Sequence, residues 1–274
     1  MTHEISKETK PSVGIRYLGQ SGFLLKRYGL TIVIDPYLSD SVAAADSIWK
    51  RNYPPPVDPA TLSEVDLVLC THEHSDHTDG ETLRGILSAS PKCRFAGPRA
   101  STVEMIRAGL PKSQITVLNE GANFNLSDLV VEPVASAHED YEVDDEGFQR
   151  FLGYILHWGS LSLYHSGDTL VTSRLEKALG KQPIDVGFLP INGRSEERHK
   201  LNIVGNMNSA EAVHLSAGLA KNRGFNLLVP VHYDLFTING TDLGQFVNIW
   251  DKTTGPKPGF KAFYPGEWMI YQKP

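Results

Sequence analysis

Residues 65–77, Val65-Asp66-Leu67-Val68-Leu69-Cys70-Thr71-His72-Glu73-His74-Ser75-Asp76-His77, run from a short apolar segment straight into three imidazoles with interleaved carboxylates. The apolar run has the length of a buried strand, so the histidines fall at a strand mouth. His72 and His74 lie two apart and, in extended chain, point to the same side, where both can reach one cation. Asp76 and His77 follow where the chain must turn into a helix, and their side chains diverge toward a neighbouring position. A single loop of this kind can seed two adjacent metal sites.

Two such sites need more donors than one loop supplies. Three further residues occupy the same local position, each at the end of a strand-like run. His138 follows Leu129–Val134, Asp168 follows Leu161–Tyr164, and His232 follows Phe225–Val229. Alone, each reads more readily as a structural histidine or a Gly-Asp turn than as a ligand; beside residues 72–77 they read as ligands.

This ordered set resembles the metallo-β-lactamase fold hydrolases, whose signature is a His-x-His-x-Asp-His loop followed by a His, a bridging Asp and a last His. The opening Gly14-Ile15-Arg16-Tyr17-Leu18-Gly19-Gln20-Ser21-Gly22-Phe23 and the turn Ile32-Val33-Ile34-Asp35-Pro36 are similar to the family's first strands. The resemblance implies that His72, His74 and His138 hold one metal, that Asp76, His77 and His232 hold a second, and that Asp168 bridges them. It implies an α/β (α+β type) fold, the four-layer αββα sandwich. Within the superfamily the chain is similar to the L-ascorbate-6-phosphate lactonase-like branch, through Leu189–Arg194, Gly205–Asn208 and Val229–Phe236.

Strand-like runs are expected at Val65–Cys70, Arg94–Ala96, Ile115–Leu118, Leu129–Val134, Phe151–His157, Leu161–Tyr164, Val186–Pro190 and Phe225–Val229, besides the short strands between Val13 and Asp35. Helical patterns cover Asp79–Ser88, Arg99–Ala108, Leu170–Leu179, Ser209–Ala220 and Leu243–Trp250. At 274 residues and 41% hydrophobic, the chain suits one hydrolase domain over 1–274, with residues 1–10 a flexible tail. No apolar run approaches the roughly 20 residues of a membrane span and the start has no secretory apolar core, so cytoplasm is the expected location. The net charge of −6 and scattered basic residues argue against nucleic acid as partner. Cys70 and Cys93, the two cysteines, read as packed thiols, which removes thiolate ligation and a cysteine nucleophile. A homo-oligomer is compatible with all of this.

Two divalent cations about 3.5–4 Å apart would lower the pKa of a shared water and polarise a carbonyl or phosphoryl oxygen. Nitrogen and oxygen donors without thiolate suit zinc, manganese or iron. Asn192, Arg194 and Tyr233 are the candidates for orienting substrate or protonating the leaving group, Arg194 through a fork suited to phosphate or carboxylate. His199 and Lys200 are weaker candidates for a phosphorylated substrate, and the acidic stretch 139–149 is either a lid or a solvated loop. His165 reads as a neighbour of the bridging turn, His157 and His214 as structural, and His3 as part of the tail. The expected activity is hydrolysis of a lactone or ester-like bond in a small, phosphorylated or otherwise anionic, metabolite. The alternatives are a phosphodiesterase acting on phospholipid or nucleotide, and a redox di-iron or metal-binding protein without hydrolytic activity.

Overall fold

A computed structural model describes residues 10–218 and 224–274. The expected tail, apart from Lys10, and the last two residues of the helix expected at Ser209–Ala220 lie outside the described residues.

The first sheet is built from β1 (Ser12–Gly19), β2 (Gly22–Arg27), β3 (Leu30–Ile34), β4 (Leu67–Leu69), β5 (Arg94–Gly97) and β6 (Ile115–Val117) in that order. The second runs through β7 (Phe124–Leu126), β8 (Leu129–Ala135), β9 (Leu152–Trp158), β10 (Leu161–His165), β11 (Ile184–Pro190), β12 (Phe225–Val231) and β13 (Gly259–Phe260). A last strand, β14 (Trp268–Gln272), returns to the first sheet and pairs antiparallel with β1. The helices are α1 (Ser41–Ala45), α2 (Gly80–Ala89), α3 (Arg99–Arg107), α4 (Ser173–Leu179), α5 (Glu196–His199), α6 (Ser209–Ser216) and α7 (Leu243–Lys252).

Period-two alternation within apolar runs explains the layering, because successive side chains of a strand leave opposite faces. Ile32, Ile34, Leu67 and Leu69 join Leu152, Tyr154, Leu156, Val186 and Phe188 in one core between the sheets. The intervening Val33 and Val68 pack outward with Leu83, Ile86 and Met105 of α2 and α3. On the far side Ile155 and Leu189 pack with Leu175, Val213 and Phe246 of α4, α6 and α7. The result is the αββα sandwich that the resemblance implied. Both cysteines are free and buried. Among the described residues no helix is long and apolar enough to cross a membrane.

Strand direction decides where chemistry can gather. Strands β3, β4 and β5 are parallel, and β1 joins their direction through two antiparallel pairings. In the second sheet β8, β10, β11 and β12 share one direction by the same logic. Their carboxyl ends meet along one edge, where the two sheets are stitched together. Leu152 N donates to Thr71 O (3.0 Å) and His232 N to Gln20 O (3.0 Å). Tyr154 Oη donates to Cys70 O (2.6 Å) and His165 Nε2 to Ser21 O (2.8 Å).

Candidate metal centre

Each histidine or aspartate of the expected ligand set leaves the carboxyl end of a strand on this stitched edge. Residues 71–77 follow β4, and the loop closes on itself as His77 N and Thr78 N both donate to His74 O (2.9 and 2.8 Å). Asp79 then caps α2, accepting from Glu81 N and Thr82 N, which supplies the turn into helix. His138 follows β8, Asp168 follows β10 and His232 follows β12. Gly167, at φ +56°, lets the Asp168 loop touch the metal loop: a Cβ there would stand 2.7 Å from Thr71 Cβ. Gln20, Asp35 and His232 also hold left-handed backbone, at φ +56°, +45° and +59°. For side chains other than glycine this costs roughly 1–2 kcal/mol each, strain of the kind that accumulates where a side chain must be aimed.

Three clusters of donor atoms result, each with its atoms within 4.8 Å of one another: His72–His74–His138, Asp76–His77–His232 and His72–His77–Asp168. The first two have the same members as the two sets implied by the resemblance. Asp168 lies between them, with Oδ1 3.5 Å from His77 Nε2 and Oδ2 3.2 Å from His232 Nε2 and 3.8 Å from His138 Nε2.

Charge follows burial. Burial and the neighbouring rings of His77 and His74 push His72 well below the usual imidazole range. Burial likewise takes His138 down to about 4, despite Asp168. For His77 burial acts in the same direction, but the carboxylates of Asp168, Asp76 and Asp35 outweigh it and raise the ring to about 10. For Asp168 burial opposes ionisation, and His232 and His77 overcome it, holding the carboxyl well below its ordinary range. The site therefore keeps His72 and His138 neutral and Asp168 ionised, while the carboxylates favour a proton on His77 that a cation would displace.

The residues fit divalent cations on a further ground. His77 Nε2 and Asp168 Oδ1 are buried and have no hydrogen-bond partner, although buried polar atoms are almost always paired. The opposite nitrogens of two rings are fixed by oxygen acceptors: His77 Nδ1 donates to Asp35 Oδ2 (2.8 Å) and His138 Nδ1 to Gly205 O (3.2 Å). That turns each Nε2 to the site, the arrangement ligating histidines use; on His77 a cation would displace the proton held there.

Several contributors escape the sequence reading. Asp35, fully buried, also accepts from Thr71 N (2.7 Å) and Thr71 Oγ1 (2.6 Å), clamping the loop's first residue. The Gln20 amide donates to Asp76 Oδ2 (2.8 Å) and lies 3.1 Å from His232 Nε2. Asn239 lines the cavity above the cluster.

The three substrate-orienting candidates are placed elsewhere. The Arg194 guanidinium forks onto Glu211, both bonds 2.8 Å, and also donates to Asn206 O. Tyr233 packs in the outer core beneath α6 and α7. Asn192 is buried behind Asn239, donating to its Oδ1 (3.0 Å) and accepting from Asn206 Nδ2 (3.2 Å). His199 pairs with Glu139 (2.7 Å) and His157 with Glu132 (2.8 Å). The acidic stretch is strapped down: Arg99 binds Asp144 and Glu146, and Arg150 binds Glu142 and the Glu73 that separates His72 from His74. None of residues 139–149 lines the cavity over the cluster.

That cavity holds about 240 Å³ and has His74, Asp76, His138, Asp168 and His232 at its base. A larger hollow of about 680 Å³ beside α6 and α7 offers His214 and no carboxylate among its described lining residues. The expected ligands gather at the smaller cavity.

Comparison with known proteins agrees with this geometry. The family described as Beta-lactamase superfamily domain matches residues 14–219. An uncharacterized protein of Mycobacterium tuberculosis is 25% identical over 228 residues, covering 82% of this chain and 60% of the relative. A probable L-ascorbate-6-phosphate lactonase of Escherichia coli is 24% identical over 227 residues, covering 78% and 62%. The chain thus spans about 60% of the length of these curated relatives. Among solved structures, a metallo hydrolase from the archaeon Ignicoccus hospitalis superimposes with a TM-score of 0.70 at 21% identity, covering 96% of this chain and all of that one.

Proposed function

The chain belongs to the β-lactamase superfamily, and from that premise we propose that it is a dinuclear metal-dependent hydrolase opening a lactone or ester-like bond in a small molecule. His72, His74 and His138 hold one cation, Asp76, His77 and His232 the other, and Asp168 stands between them. The observation that carries the reading is the pair of buried, partnerless atoms His77 Nε2 and Asp168 Oδ1 facing each other within a cluster of nitrogen and oxygen donors. When bound, zinc or manganese supplies Lewis acidity that makes a water acidic enough to ionise near neutral pH and offsets charge developing on the substrate.

The chain's own residues do the rest. Asp35 holds His77 in the tautomer that leaves Nε2 free, and Gly205 O does the same for His138. The amide relay Asn206–Asn192–Asn239 occupies Asn239 Oδ1 and leaves its Nδ2 to donate to a substrate oxygen. Trp49 and Ile203 help to exclude water from the cavity. The expected cytoplasmic location is part of the same proposal.

The test is metal analysis of purified protein together with turnover of a panel of lactones, simple esters and a chromogenic phosphodiester. Two ions per chain and lactone or ester hydrolysis support the reading; turnover confined to the phosphodiester replaces it.

A further inference from the structure

The cavity walls above the metal cluster carry no cation. Val42 and Trp49 come from the segment that follows β3, Ile203 and Val204 from the loop after α5, and Asn202 and Asn239 supply the polar edge. Neither lysine nor arginine lines this space among the described residues. Lys50 and Lys200, nearest in sequence to Trp49 and Asn202, are exposed and stand outside the lining, and the other basic groups of these segments are committed: Arg51 donates to Tyr37 O and Ser39 O. Arg194 is forked onto Glu211, Arg198 donates to Asn192 O (2.6 Å) and Gly240 O (2.5 Å), and His199 is paired with Glu139.

A phosphate or carboxylate on the part of the substrate remote from the reacting bond would enter this space without a counter-charge, so its desolvation would go uncompensated. An apolar group there would instead cover Val42, Trp49, Ile203 and Val204. Trp49 is braced for such a contact by an edge-on stack against Phe236, ring centroids 5.3 Å apart. A volume of about 240 Å³ is below the range usual for drug-sized ligands, so the occupant is small.

Resting on the hydrolase reading above, we infer that the substrate is a small, uncharged lactone or ester whose non-reacting part is apolar and seats against the Trp49–Ile203 wall. Its remote end carries no phosphate or carboxylate.

Matched pairs test this with the metal-loaded full chain: glucono-δ-lactone against its 6-phosphate, and δ-valerolactone against δ-nonalactone. The expected result is a kcat/KM at least tenfold higher for the uncharged member of the first pair and for the alkyl-bearing member of the second. Trp49→Ala should erase the second preference with bound metal unchanged, and Val42→Arg, which places a cation on the wall, should shift the first toward the phosphorylated lactone. A tenfold preference for the phosphorylated lactone in the unsubstituted protein, lost in Lys200→Ala, overturns the inference and leaves the hydrolase reading standing. Binding of the lactams that correspond to the second pair, followed by ligand-observed NMR, reads the wall independently of turnover. If no lactone or ester is hydrolysed, the hydrolase reading fails; tighter binding of the alkyl lactam, weakened by Trp49→Ala, then still upholds the wall's preference, and equal binding of both lactams overturns it.

Discussion

His77 Nε2 and Asp168 Oδ1 face each other at 3.5 Å in a buried space, and neither has a hydrogen-bond partner. In the metal-free protein the proton on His77 offsets the Asp168 carboxylate across that gap, and a cation that binds both atoms takes its place. The account of the site follows from that pair, and so do its predictions.

Asp168→Ala removes the one carboxylate that approaches His77, His138 and His232 together. Bound metal should fall below two ions per chain and hydrolysis should drop by at least about 100-fold, beyond the effect of losing an outer-shell partner. Elemental analysis alongside kinetics checks this; two tightly held ions with full activity would remove Asp168 from the bridging role.

Asp35→Asn keeps the volume but weakens the acceptor that fixes His77 and Thr71. Metal affinity should fall roughly 10–100-fold while the fold survives. Competition titration against a chelator measures the affinity, and circular dichroism the fold.

Metal binding should release protons. In the metal-free protein His77 is raised to about 10, so at pH 8 its ring carries a proton that ligation through Nε2 must displace. Affinity should therefore rise with pH, about tenfold per unit for each proton released. The sign is opposite for the stability of the metal-free fold. The His77 contribution is fully present below the unfolded imidazole value of about 6.5 and is lost as pH rises through about 10. Calorimetry in buffers of different ionisation enthalpy counts the protons; a count of zero at pH 8 contradicts the assignment.

Arg194→Ala should leave KM unchanged and lower stability by no more than about 0.5–1 kcal/mol, because its half-exposed fork is already taken by Glu211. Asn239→Ala should lower kcat/KM about tenfold at unchanged metal content, the equivalent of one hydrogen bond to substrate. Steady-state kinetics on both variants separates the two residues.

The contrast between Arg194 and Asn239 shows what the sequence could carry. Residues 72–77 are legible because strand alternation and loop position are local properties, and His138, Asp168 and His232 repeat the same strand-end pattern. The apolar runs β4, β9, β10 and β11 are legible for the same reason, being buried over most of both faces, as is the carboxyl end of β8 and of β12. Partners far along the chain are not. Asp35 reads only as a turn until β3 and β4 pair in parallel, Ile34 beside Leu69, and bring it under Thr71. The fork of Arg194 reads as free until Glu211, itself engaged in the capping box that starts α6, lies against it. Tyr233 follows His232, whose left-handed backbone aims the two side chains differently, one to the site and one to the outer core. Edge elements such as β7, β13 and β14 are short and half exposed, so they lack the pattern that marks a strand. The helix expected from Leu170 starts instead at Ser173, where Thr172 caps it by accepting from Leu175 N.

The central claim is that hydrolysis depends on cations held by the cluster around Asp168. Chelator-stripped protein titrated with manganese or zinc, with lactone and ester hydrolysis followed at each addition, tests it most directly. The account predicts no turnover in the stripped protein and activity that climbs to a plateau at two ions per chain. Full turnover in stripped protein, or two bound ions with no hydrolysis of any lactone or ester, would contradict it.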